Sequence, residues 1–133
     1  MKAKQSILIN FFFFLGIFSA FGQESDSFAR IKLVKQFHDF GDVKEGMLVK
    51  TKFQIISEGA VPIWISSIER VCGCTTPKWP KDPIEKGDTA VIEVWFNTEN
   101  REGPFTKTLR IISNNQFGEV PISITGNILS KKD

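Results

Sequence analysis

In stretch after stretch of this chain, apolar residues recur at every second position, and that period constrains the fold more than any other feature. Successive side chains of a strand project to opposite faces, so a period of two buries one face and leaves the other in water. In MLVKTKFQIIS, Val49, Thr51, Phe53 and Ile55 share one face against Lys50, Lys52 and Gln54. In TAVIEVWFN the shared face is Ala90, Ile92, Val94 and Phe96, with Glu93 opposite. Phe105, Leu109 and Ile111 align in FTKTLRIIS, as do Val120, Ile122 and Ile124 in EVPISITGN.

Two further runs are less regular. RIKLVKQF lies near the start, and VPIWISSIERV changes phase between Ile65 and Ile68, which predicts a bulge at Ser66-Ser67. Turn residues punctuate the runs at Gly41, Glu45-Gly46, Glu58-Gly59, Lys86-Gly87-Asp88, Gly103-Pro104 and Asn114-Asn115. No window carries the i, i+3, i+4, i+7 spacing of an amphipathic helix. The pattern predicts an all-β, immunoglobulin-like antiparallel sandwich of about seven strands. Trp64, on the third strand, suits the core of such a sandwich.

The N-terminus has a different character. Lys2 and Lys4 precede the apolar run ILINFFFFLGIFSAFG, which closes on Ala20-Phe21-Gly22. This reads as a secretory signal peptide over residues 1–22, because the run falls short of the roughly 20 apolar residues that span a bilayer. No cysteine follows it to carry a lipid, so the expectation is an exported protein of the periplasm or cell surface, not a lipoprotein, with no transmembrane segment after cleavage. Residues 23–30, QESDSFAR, read as a flexible lead-in, and residues 31–130 as a single domain. Cleavage removes two of the 17 basic residues and none of the 15 acidic ones, leaving a net charge of zero. With no basic run interleaved with aromatics, nucleic acid is not an expected partner.

Most catalytic chemistries lack their residues. His38 is the only histidine, and its neighbour Asp39 points to the opposite face of a strand and cannot orient it. Asp39-Phe40-Gly41 has the letters of a kinase metal element without a phosphate loop or catalytic loop. The carboxylates are scattered, and no cofactor motif is present. Trp64, Trp79 and Trp95 could line a sugar or peptide groove, Trp79 above all because it sits among prolines.

The two cysteines, Cys72 and Cys74, flank a single glycine in VCGCTTPKWP. Closing them into a disulfide requires a tight turn, which Gly73 permits. Such a short loop stabilises by only about 1.6 kcal/mol. Four readings stand side by side: a local disulfide that fixes the loop, a redox or partner-exchanging pair, a Cu(I) site using both thiolates, and two buried free thiols. If a metal is bound at all, Cys72 and Cys74 are its candidate ligands. Around them, Thr75, Pro77, Lys78 and Trp79 form the candidate surface for an unknown protein partner in the envelope.

HDFGDVKEG (38–46), VPIWISSIERVCGCTTPKWP (61–80), IEKGDTAVIEVWFNT (84–98), GPFTKTLRIISNN (103–115) and VPISITGNI (120–128) together resemble the domain-of-unknown-function family 1573. That family consists of exported bacterial proteins and is similar to the ASPM, SPD-2, Hydin group of immunoglobulin-like modules. The resemblance implies fold and export, with no biochemical activity to carry over. Relatives of the wider group act as binding or assembly modules, which suggests a non-enzymatic role here by analogy of fold. The alternative is a redox-active or Cu(I)-handling protein acting through Cys72 and Cys74.

Overall fold

The computed structural model describes residues 27–132, so the leader read over residues 1–22 lies outside the described residues. Eight strands form two sheets: β1 (Ile31–Leu33), β2 (Phe37–Lys44), β3 (Leu48–Ser57), β4 (Ile65–Arg70), β5 (Thr75–Lys78), β6 (Thr89–Asn97), β7 (Gly103–Ser113) and β8 (Val120–Leu129). One sheet has the order β1-β3-β6-β5 and the other β2-β8-β7-β4. The described residues contain no helix.

The faces that alternation marks as apolar meet between the sheets. Phe53 and Ile55 of β3, Ile92, Val94 and Phe96 of β6, Leu109 and Ile111 of β7, and Ile122 and Ile124 of β8 are all fully buried. Each contributes about 1.5–3 kcal/mol relative to an exposed position. Phe96 and Phe105 stack across the layers with ring centroids 4.4 Å apart. Ile63 and Ile84 seal one end of the core by exchanging two backbone hydrogen bonds of 2.9 and 2.8 Å. The phase slip in the fourth strand is a real bulge, since the register with β7 shifts between Ile65 and Ser67.

Trp64 departs from expectation: it is 59% exposed and takes no part in the core. Its neighbours Ile63 and Ile65 claim the inner face, so alternation turns the ring between them outward. Gly41 is likewise no turn. It lies within β2 at a positive φ of 66°, where the register with β8 breaks between Asp39 and Asp42. The Asp39 carboxylate accepts a 2.8 Å hydrogen bond from the Gly41 N–H. Gly103-Pro104 opens β7 and does not separate two strands.

Not every strand pair is antiparallel. After β1 the chain crosses at a corner to the adjacent edge of the other sheet, where β2 runs parallel to β8. A strand that switches sheets at a corner is a recurrent device of sandwiches. The last residues of the lead-in also belong to the fold. Ala29 is buried and bridges Asn115, while the Arg30 carbonyl accepts from the Glu58 N–H at 3.0 Å. Gly59 makes this approach possible, because a Cβ there would stand 2.7 Å from the Arg30 nitrogen.

Candidate functional site

β4 is the edge of one sheet and β5 the edge of the other, so the four residues Val71–Cys74 carry the chain from layer to layer. Cys72 and Cys74 are joined as a disulfide across this corner, with their Cα atoms 5.3 Å apart. Cys74 is buried against the core and Cys72 half-buried. As a disulfide the pair presents no thiolate, the form in which cysteine attacks or ligates a metal. Three hydrogen bonds hold the corner. The Asn97 N–H donates to the Cys74 carbonyl at 2.9 Å, the Thr75 hydroxyl to the Cys72 carbonyl at 3.4 Å, and the Arg70 guanidinium to the Thr75 carbonyl at 2.7 Å.

The residues expected to face a partner divide. Thr75 is fully buried and shapes the corner from inside, which removes it from any contact surface. Thr75 to Lys78 form a strand where a loop was expected. Trp79 is half-buried and packed against the core; its indole N–H is buried with no partner among the described residues, and the Lys81 ammonium lies 3.3 Å from the ring centroid. Pro77 is half-buried, and Lys78 is exposed with its ammonium 4.3 Å from the centre of the Trp95 ring. His38 stands apart, on β2. Partial burial lowers its pKa from 6.5, as does the nearby Lys35, against an opposing effect of Asp39.

The backbone of the two edges matters more than these side chains. Since the Cys74 carbonyl faces β6, Thr76 and Lys78 face it too, and the backbone groups of Thr75 and Pro77 point away from the sheet. Arg70 takes the Thr75 carbonyl, and Pro77 has no N–H to offer. Two of the outward groups of β5 are thereby removed from recognition.

The neighbouring edge is different. β7 runs from Gly103 to Ser113, but β4 pairs only with Leu109 to Ser113. Among the described residues, β7 is therefore paired from Gly103 to Thr108 on its β8 side alone. The Ser123 N–H and the Leu129 carbonyl bond toward β2, so the alternate residues Ile122, Ile124, Gly126 and Ile128 face β7. Their partners Leu109, Lys107, Phe105 and Gly103 are the inward members of β7. It follows that Thr106 and Thr108 direct both backbone groups to the open edge, and Pro104 only a carbonyl. Sequence reasoning missed this edge, because strand length is read within a strand and overhang is set between two.

The two layers and their edges define an immunoglobulin-like β-sandwich. Residues 31–128 match the family model described as Protein of unknown function (DUF1573), and the chain belongs to that family. Among solved structures it is similar to a protein of unknown function from Porphyromonas gingivalis W83, at 17% identity and a TM-score of 0.67, over 77% of this chain and 48% of that one. The chain thus spans about half the length of that relative. It is also similar to the ASH/PapD-like domain 7 of human CEP192, at 6% identity and a TM-score of 0.63, over 76% of this chain and 86% of that one. A part of the Vibrio cholerae VesB protease has the same fold, at 11% identity and a TM-score of 0.59, over 74% of this chain and 31% of that one. These likenesses concern fold and not activity. No curated protein matches the sequence.

Proposed function

We propose that this chain is an exported, non-enzymatic binding module that receives an extended polypeptide by strand addition along the open half of β7. The observation that carries the reading is the overhang of β7 beyond β4, which among the described residues leaves Gly103 to Thr108 paired on one side only. An incoming strand would take up the line that β4 abandons at Arg70, bonding the N–H and C=O of Thr106 and Thr108. Its alternate side chains would lie over Phe105 and Lys107 on one face and over the threonine side chains on the other. The disulfide corner would end the groove and set how far the strand can run. Export to the periplasm or cell surface is supported by the Lys-flanked apolar N-terminus and by a disulfide, which suits an oxidising compartment.

Selection of linear peptides against the purified chain, followed by amide exchange of the complex, tests this. Protection of the Thr106 and Thr108 amides, lost in Thr106→Pro, is the expected result. Protection confined to β2 or β5, or no selected peptide, would overturn it.

A further inference from the structure

The outward face of the β1-β3-β6-β5 sheet carries a second feature that the edge does not use. Register places Lys50 of β3 and Thr76 of β5 on either side of Trp95, and Lys52 and Lys78 on either side of Glu93. The Lys50 and Lys78 ammoniums lie 5.5 and 4.3 Å from the centre of the Trp95 ring. The single carboxylate among them, Glu93, accepts the Trp95 indole N–H. Among the described residues, none of these three lysines makes an ion pair; the carboxylates that do pair, Glu58, Glu69 and Glu119, lie elsewhere. The patch therefore holds three ammoniums against one carboxylate, around an aromatic ring.

Trp95 is half-buried and the two lysines over it are exposed, so each ammonium is weakly held by the ring and can turn to an anionic partner instead. Lys50 and Lys78 stand on a diagonal, two strand spacings across the sheet and two residues along it, so their backbone positions are about 12 Å apart while both ammoniums reach the Trp95 ring. An anionic ligand that spans them lies across the strands with the ring beneath it. A peptide is poorly served here, because the adjoining β5 edge is closed by Arg70 and Pro77 and provides little of the backbone pairing that extended peptides use. A polymer that brings its own flat, C–H-lined rings and its own carboxylates needs no backbone partner.

From this we propose that the face around Trp95 binds a carboxylated polysaccharide, one sugar ring stacked on the indole and carboxylates on Lys50 and Lys78, with Lys52 adding to the field. The site is independent of the β7 edge.

Titration with polygalacturonate tests it, followed through the Trp95 indole N–H resonance, with dextran and polyglutamate as comparison polymers. Polygalacturonate is expected to shift that resonance and dextran to leave it unmoved. Polyglutamate of matched charge should bind at least severalfold more weakly. Replacing both exposed lysines, Lys50→Gln with Lys78→Gln, should weaken polygalacturonate binding by about tenfold without altering the unfolding midpoint. Trp95→Phe, which keeps an aromatic face, should retain more binding than Trp95→Ala. Equal binding of polyglutamate, an unmoved Trp95 resonance, or no effect of the lysine pair would overturn the proposal.

Discussion

The Arg70 guanidinium, at the end of β4, donates a 2.7 Å hydrogen bond to the outward carbonyl of Thr75 at the start of β5. One side chain thus spans the disulfide corner and covers an edge group of the opposite sheet. Unpaired edges invite association, and natural sheets blunt them with charge and proline. Arg70→Ala removes the cover while Pro77 stays. The loss of a charge-assisted bond at a largely exposed residue is expected to cost about 1 kcal/mol in urea unfolding, with an unchanged m-value. Faster exchange of the Thr75 and Thr76 amides should accompany it, and unaltered exchange would show that the bond does not hold the corner.

The disulfide encloses a single residue, so its removal should cost little. Cys72→Ser with Cys74→Ser is expected to lower stability by about 1–2 kcal/mol, part of it from placing a hydroxyl at the buried Cys74 position. Urea denaturation of the double variant measures this. A loss above about 4 kcal/mol would mean that the corner pins the two sheets together and does more than shape one loop.

Asn114 and Asn115 are neighbours that hold opposite sheets. Asn114 accepts from the Trp64 N–H at 2.8 Å and donates to the Pro62 carbonyl at 2.9 Å. The buried Asn115 accepts from the Ile31 N–H at 3.1 Å and donates to the Gly118 carbonyl at 3.2 Å. Asn115→Ala leaves a backbone donor and acceptor without partners and is expected to cost about 2–3 kcal/mol. The Ile31 amide should lose protection first, because it belongs to the short edge strand that Asn115 anchors. A uniform loss of protection across both sheets would argue against a local role.

How much of this was legible beforehand follows from what alternation can encode. The period of two marks which side of each strand is buried, so the inward sets of β3, β6, β7 and β8 and the bulge at Ser66-Ser67 could be read directly. The same rule, applied strictly, places Trp64 outside; a fold-level expectation of a core tryptophan ran against it. Pairing is another matter, because an apolar face fits several neighbours equally well. The parallel β2–β8 pair, the overhang of β7 and the meeting of Lys50, Lys78 and Trp95 all depend on register between distant segments. Gly41 misled for a local reason: a positive φ serves a bulge within a strand as well as a turn between two.

His38 supplies a prediction in pH. Its folded pKa lies below 6.5, chiefly through partial burial and then through Lys35, whose ammonium stands 3.0 Å from Nδ1. The folded state therefore binds the proton less readily than the unfolded chain does. Stability linked to His38 is fully present above pH 6.5 and is lost as pH falls from there through the folded pKa. The imidazole is half-buried beside an exposed Lys35, so the slope should be shallow. His38→Gln is expected to flatten it over the range in which the carboxylates stay ionised. Lys35→Met should raise the pKa read from the imidazole resonances, because it removes a positive neighbour and leaves Asp39 in place. A pKa that stays put in Lys35→Met would assign the shift to burial alone.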